Sequence, residues 1–499
     1  MRSLPPAQNS DSRAPMTREF VWIVAGLCVL VLSHLLFSFW HRWDYAFDLE
    51  WMEGGMLVHV DRLRQSQGLY VEPSADFVPY IYPPLYPWVL SVFGEPSYAA
   101  GRSLSILGTF SAMAAAVYAL RQERMAWPFA LAPVALYASC YEDSGAFFDL
   151  VRSDAFALGL ASWSMVLVRD GRSRKLILGA LLLVLAYMAK HNYAAFGLPM
   201  ALWLWRFRGR STALRFVGIS AGTAGAWTAY MAWSTEGLFL TYLVEVPSVH
   251  PLVGERFFPG SEKEIYGALP TMVWCAVGAG LALILRREAG EREGLVYWGA
   301  IGVLGLLLCA LMRAHHGGFL NVLMPGYWLL ALLSTMVLGA LARRGRPLIA
   351  CLLLVFGMGW DINNGLWPKE KYIPTAQDVD AGERLIDRIA EYPGEVLMPH
   401  APWYPVLAGK KPSLPLIALW DIDHRDGPLR DGVKAFREAV AAQRWDAIIT
   451  AGRKMRFGIS EHYQFAGGTG VTGSRLRTKS GWPVSPTRIL EPKPPASTD

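Results

Sequence analysis

The chain has 499 residues, 53% of them hydrophobic and 18% charged, with a mean hydropathy of +0.26 and a formal charge of +6. A soluble domain carries about a quarter charged residues, so the composition excludes an ordinary water-soluble protein and points to the membrane. The positive charge, which in a soluble chain would suggest nucleic acid, must here be sorted loop by loop.

Residues 1–19 are polar with three Arg, and the apolar run 20–40 follows. That run is longer than the roughly 7–15 residues of a signal-peptide core and lacks a small-residue cleavage site, so it reads as an uncleaved first span. Further windows follow at 97–120, 125–142, 154–168, 175–190, 192–206, 214–235, 267–285, 294–312, 319–341 and 347–361, giving eleven predicted transmembrane helices in a mainly α fold. All five cysteines (Cys28, Cys140, Cys275, Cys309, Cys351) fall inside these apolar segments, which suits packing rather than a disulfide framework. With the amino end in the cytoplasm, 19 Lys and Arg fall in the loops on that side against about nine in the opposite loops that precede residue 362. This bias predicts a cytoplasmic N-terminus and outward-facing segments at 41–95 and 362–499. The predicted organisation is thus a cytoplasmic segment 1–19, a membrane domain 20–361 that includes outer loop 41–95, an extracytoplasmic α/β domain 362–466 and a loose tail 467–499.

The first outer loop holds eight acids and three bases, an unusual balance beside a membrane. Asp48, Glu50 and Glu53 lie within six residues, just past the first span. Met56, Leu57, Val60 and Leu63 then recur at helical spacing and predict a short amphipathic helix along the outer interface, with Glu53 near its positive end. The loop closes on Tyr80-Ile81-Tyr82-Pro83-Pro84, a stiff aromatic turn.

Three other outer edges carry polar groups. Arg152-Ser153-Asp154 precedes the fourth span, Lys190-His191-Asn192 lies between the fifth and sixth, and Arg313-Ala314-His315-His316 enters the tenth, with Asn321 beyond. Cations at this depth are costly, so Arg152, Lys190 and Arg313 are candidates to meet an anionic phosphate; the competing reading is that each snorkels to ordinary headgroups. His315-His316 lacks metal-ligand spacing and a third ligand, so no metal is expected. No Walker loop is present, which leaves ATP-driven transport without an engine. In the last segment, helices are predicted near Asp380–Glu391 and Val433–Gln443, and strands at Glu395–Met398, Leu414–Leu419 and Ala447–Thr450. The Gly-, Thr-, Ser- and Pro-rich stretch from Gly467 onward reads as loose.

The acidic first loop, the helix after it, the Tyr-Pro-Pro turn, the many spans and the outer C-terminal domain together resemble the GT-C superfamily of membrane glycosyltransferases, in particular its bacterial protein-mannosyltransferase-like and aminoarabinose-transferase-like branch. The family pattern places an acid at the start of the interfacial helix, then Gly and Tyr, here Glu53, Gly68 and Tyr70. The commoner Asp-Glu pair is absent and Glu53-Gly54 stands in its place, so the base is Glu53, Asp48 or Glu50. The resemblance implies an inverting bacterial inner-membrane enzyme without a cofactor. It would move a sugar from a polyprenyl-phosphate donor to a lipid, glycan or protein hydroxyl at the outer face. Arg152, Asp154, Lys190, His191, Arg313, His315 and Tyr82 are then the donor- and substrate-binding candidates. No nucleic-acid partner is expected. A non-enzymatic lipid-linked-glycan flippase would need polar groups scattered along the spans, whereas here they crowd the outer ends. An O-antigen-ligase-like transferase would carry its key outer loop late in the chain.

Overall fold

The computed structural model describes residues 16–285, 292–451, 457–471 and 475–494. Most of the predicted cytoplasmic segment, with Arg2 and Arg13, lies outside the described residues, as do Arg286 and Arg287.

A helix stands at each of the eleven predicted windows: α1 (Met16–Trp40), α4 (Tyr98–Gln122), α5 (Trp127–Ser139), α6 (Ser153–Asp170), α7 (Ser173–Ala189), α8 (Gly197–Phe207), α9 (Arg210–Ser234), α11 (Pro270–Leu285), α12 (Arg292–Ala314), α13 (Met324–Arg343) and α14 (Pro347–Gly365). Between them lie α2 (Glu53–Arg64), α3 (Leu85–Ser91) and α10 (Ser261–Ala268). Five of the eleven are long and apolar enough to cross a membrane on their own, and a sixth span arises if 256–268 and 270–284, bent by 87°, count as one. The others are shorter or less apolar. Large side chains such as Trp22, Leu30, Leu107, Trp233 and Leu307 are exposed on these helices, as a lipid-facing surface requires, while all five cysteines are buried and free. Helices α4 and α6 approach closely because Gly108 and Gly159 face each other's backbone. A Cβ on Gly159 would sit 2.8 Å from the Gly108 carbonyl oxygen. That contact sets the spacing of the two helices near their first turns, where Arg102 and Arg152 stand.

The C-terminal domain holds α15 (Ala376–Ala390), α16 (Leu416–Ile422), α17 (Asp431–Ala441) and a four-stranded sheet of order β1-β2-β4-β3. Its strands are β1 (Val396–Leu397), β2 (Ala447–Thr450), β3 (Tyr463–Gly468) and β4 (Arg488–Pro492). The first two pair in parallel, and the remaining pairs are antiparallel. A capping box between Thr375 and Asp378 starts α15.

Three expectations change here. The strand predicted at Leu414–Leu419 is helix α16: Pro415 caps it, and Leu416, Leu419 and Ile422 recur at helical spacing on its buried side, a run too short for periodicity to separate from a strand. The segment from Gly467 is not loose throughout, because β4 lies inside it. Its apolar Ile489 and Leu490 sit between Arg, Glu and Pro and acquire a strand only by pairing with β2 and β3. Helix α2 starts at Glu53 as predicted, but protein covers its apolar face. Met56, Leu57, Val58, His59 and Val60 are all buried beneath the Tyr80 turn and the C-terminal domain.

Candidate active site

The acidic segment 48–53 is held at its far end by an ion pair. Glu53 is fully buried against Arg102 (2.9 Å), itself fully buried. The Glu53 carboxylate accepts five hydrogen bonds, two from the Arg102 guanidinium and one each from the backbone N–H of Leu49, Glu50 and Val151. Arg102 also donates to the carbonyls of Arg42, Tyr45 and Phe47. Glu53 therefore staples the loop to α4 and to the entry of α6, and every side of its carboxylate is engaged.

Asp48 lies one turn back. Its Oδ1 accepts from the Gly54 backbone (2.8 Å) and the Tyr98 hydroxyl (2.8 Å), holding the first turn of α2. Its Oδ2 is buried with no partner among the described residues. Burial, and then the charge of Glu53, push the Asp48 carboxyl well above the usual carboxylate range, against the opposing pull of Tyr98, Gly54 and Arg102. Two C-terminal residues close over it: the Tyr404 hydroxyl receives the Asp48 backbone N–H, and Trp403 packs against Gly54.

Glu50 joins a different group. Its Oε2 accepts from Arg152 Nη1 (3.0 Å) and from the Met52 backbone (3.2 Å), and Oε1 makes no hydrogen bond among the described residues. Burial raises its pKa, Arg152 lowers it and Glu53 raises it again, leaving Glu50 at about 7. Arg152, at the start of α6, also touches the Met52 sulfur (2.7 Å) and the Tyr82 hydroxyl (3.3 Å), and lies over the rings of Tyr82 and Phe147. Asp154, in the first turn of α6, stands 3.7 Å from Arg152, pairs with Lys190 and accepts from Asn321 Nδ2 at 2.8 Å. Five elements therefore bring Glu50, Tyr82, Arg152, Asp154, Lys190 and Asn321 into one chain of contacts.

The remaining candidates go elsewhere. Arg313 is committed to Glu264 through two 2.7 Å bonds and to the Gly318 carbonyl, tying α10 to the end of α12. His315 bonds His250 (3.2 Å) in a group of imidazoles with His316 and His424. Among the described residues no set of three or more His, Cys, Asp and Glu is arranged to hold a metal. His191 follows Lys190 directly, with its Nδ1 buried and without a hydrogen-bond partner among the described residues. Sequence reasoning missed Arg102, Tyr98 and the C-terminal residues Trp403 and Tyr404. An Arg inside an apolar helix was the one signal that could have singled out Arg102.

No family model and no curated protein matches the chain. Solved structures share its fold. The ArnT of Cupriavidus metallidurans bound to undecaprenyl phosphate aligns at TM-score 0.57 and 11% identity, over 93% of this chain and 98% of that one. Its apo form aligns at 0.56 over the same shares. The oligosaccharyltransferase of Archaeoglobus fulgidus aligns at 0.46 with 12% identity, over 88% of this chain and 70% of that one. The chain shares the overall fold of ArnT.

Proposed function

We propose that the protein is a multi-pass inner-membrane glycosyltransferase. It transfers a sugar from a polyprenyl-phosphate donor to a lipid, glycan or protein hydroxyl at the outer face, with its eleven helices threaded so that the N-terminus is cytoplasmic. The observation that carries this reading is the Glu50–Arg152 contact: a carboxyl group near pKa 7 with one oxygen that makes no hydrogen bond among the described residues, beside a buried guanidinium that lies close to Tyr82 and Asp154. The fold shared with an enzyme solved bound to undecaprenyl phosphate supports the donor class.

In this reading Glu50 takes the proton of the acceptor hydroxyl as that oxygen bonds to the anomeric carbon, and the bond from that carbon to the phosphate oxygen breaks with its electron pair leaving on the polyprenyl phosphate. A general base works best with its pKa near the working pH, which burial gives Glu50. Arg152 and Lys190 hold the leaving phosphate. Each already has a carboxylate partner, and as Glu50 takes up the acceptor proton its hold on Arg152 weakens, which turns the guanidinium toward the leaving phosphate. Asp48 positions the turn that carries Glu50, and Glu53 anchors it.

The test is to replace Glu50 by Gln in cells that depend on the protein and to compare envelope lipids and glycans by mass spectrometry. A sugar-modified species present with the wild-type protein should vanish with E50Q and persist with an inert surface change such as Lys434→Gln. An unchanged profile upon deletion of the whole protein would remove the transferase reading, and full activity of E50Q alongside a dead D48N would move the base to Asp48.

A further inference from the structure

Between α9 and α10 the chain passes the C-terminal end of α12 and carries His250, which is buried there. The passing segment is tied to α12 through its backbone. The Val253 N–H donates to the Ala314 carbonyl (2.7 Å), and Leu252 pairs with His315 as an isolated antiparallel bridge. On its other side His250 meets the end of α16. Four imidazoles gather at this junction: the His250 ring lies 5.0 Å from His315, 6.4 Å from His316 and 4.6 Å from His424, and His316 lies 6.0 Å from His424.

The hydrogen bonds assign the tautomers. The Gly317 N–H donates to His315 Nδ1 (3.3 Å), so His315 carries its proton on Nε2 and donates to His250 Nδ1 (3.2 Å). His250 then carries its proton on Nε2 and donates to the Asp421 carbonyl (2.8 Å). All four ring nitrogens are engaged, and the chain of bonds runs in one direction. A further proton has two places to go, Nδ1 of His315 or Nδ1 of His250, and each already accepts a bond. Either way an N–H comes to face an N–H, and a positive ring sits among three others.

The surrounding groups act on the pair from every side. His316 from the end of α12 and His424 from the C-terminal domain both oppose a proton on His250 and on His315. Arg313 is paired with Glu264, and Arg256 donates to the His316 carbonyl (3.0 Å). The Asp421 carbonyl favours a proton on His250, the Pro247 carbonyl one on His315, and Asp423 one on His424. Burial is the largest influence on all three rings and outweighs these, holding His250 at about 4 and His315 and His424 below the ordinary imidazole value.

We infer that His250 and His315 form a proton-sensitive latch: neutral imidazoles hold the segment 246–253 between α12 and the C-terminal domain, and acid releases it. The latch goes beyond the transferase reading and stands without it. It borders the polar cluster, since the charge of His315 reaches His191, the neighbour of Lys190. A released imidazole returns to about 6.5. The closed segment therefore keeps its full stability above that pH and loses it as the pH falls toward 4. From His250 alone, the ratio of open to closed segment rises about 30-fold between pH 8 and pH 5.

The experiment is hydrogen exchange on the full chain in nanodiscs, read by mass spectrometry as protection factors at pH 8 and pH 5. Peptides within 246–256 should lose protection by about 30-fold in acid, while peptides of α15 keep theirs because the domain stays docked. In the double variant His250→Gln, His315→Gln, which has neither ring to charge, the loss should shrink to threefold or less. In the wild type itself, exchange of the His250 ring C2 proton should titrate with a midpoint below about 6; this decides the matter if the double variant is already open at pH 8. Equal protection of 246–256 at both pH values in the wild type, a His250 midpoint at about 6 or above, loss of α15 protection in step with the segment, or an undiminished loss in the double variant overturns the latch.

Discussion

Replacing Glu53 by Gln separates a base from an anchor. Glu53 and Arg102 are both fully buried, and the Glu53 carboxylate satisfies two guanidinium N–H groups and three backbone N–H groups. The amide removes the charge and turns one acceptor into a donor, so at least one of those N–H groups faces another N–H while Arg102 stays buried without its counter-charge. Removing one partner of a buried, hydrogen-bonded ion pair costs about 3–5 kcal/mol. The expected result is a clear drop in the midpoint of thermal unfolding in nanodiscs, followed by tryptophan fluorescence, with near-normal turnover per molecule still folded. The double variant Glu53→Gln, Arg102→Gln should lose less than the two single losses added, because the uncompensated charge is gone. An E53Q protein that unfolds at the wild-type midpoint yet has lost turnover by 10²-fold or more would refute this assignment and return Glu53 to the role of base.

The other expectations follow from the same geometry. Turnover should rise with pH through about 7 as Glu50 ionises, while E50Q loses 10²-fold or more at pH 8 and its residual rate is flat over that range, which a pH–rate profile checks. Because the anionic donor favours the protonated form of Glu50, donor affinity should move the opposite way and weaken as pH rises through about 7; an affinity independent of pH would separate Glu50 from the donor site. Arg152→Ala should weaken donor affinity by about 10- to 150-fold, the equivalent of a charge-assisted contact of roughly 1.5–3 kcal/mol, with Arg152→Lys intermediate because the fork is lost and the charge kept; donor titration measures it. An alkaline phosphatase fused at Gly427 should be active, and an inactive phosphatase with an active cytoplasmic reporter at the same residue would reverse the threading.

The helices were legible because lipid imposes long apolar runs that composition reveals directly. Their number as spans was less so, since Trp127–Ser139 and Gly197–Phe207 are shorter than a bilayer is thick. The polar cluster was half legible. Arg152, Asp154, Lys190 and Tyr82 could be picked out as ionisable or aromatic groups at outer helix ends, and the fold brings them together with Glu50. Arg313 carried the same signal and went to Glu264, because a pairing across 49 positions of chain leaves no local trace. The rank among the three acids was not legible at all. Asp48, Glu50 and Glu53 share one charged stretch, and what distinguishes them is supplied from afar: Arg102 and Val151 for Glu53, Tyr98 for Asp48, Arg152 for Glu50.

Other distant partners explain why the C-terminal domain is docked on the acidic segment rather than hanging free of it. Arg42 leaves the end of α1 fully buried and pairs with Asp149 at 2.6 Å, while its other nitrogens donate to the Tyr372 carbonyl and to Ser480 Oγ, both beyond the last membrane helix. Gly382 of α15 lies so close to Phe47 that a Cβ there would overlap the ring. The backbone N–H groups of Lys479 and Ser480 both donate to the Leu49 carbonyl, at 2.9 Å. A guanidinium drawn this far from water is tolerated only when its donors are satisfied, so Arg42 reaches its bonded state only with the domain docked. Between Arg42 and Glu53 the chain is thus pinned at both ends by buried charge and in the middle by the domain. That leaves Asp48 and Glu50 on a short stretch with little freedom, which is the condition under which a carboxylate can meet a reacting hydroxyl in a fixed geometry.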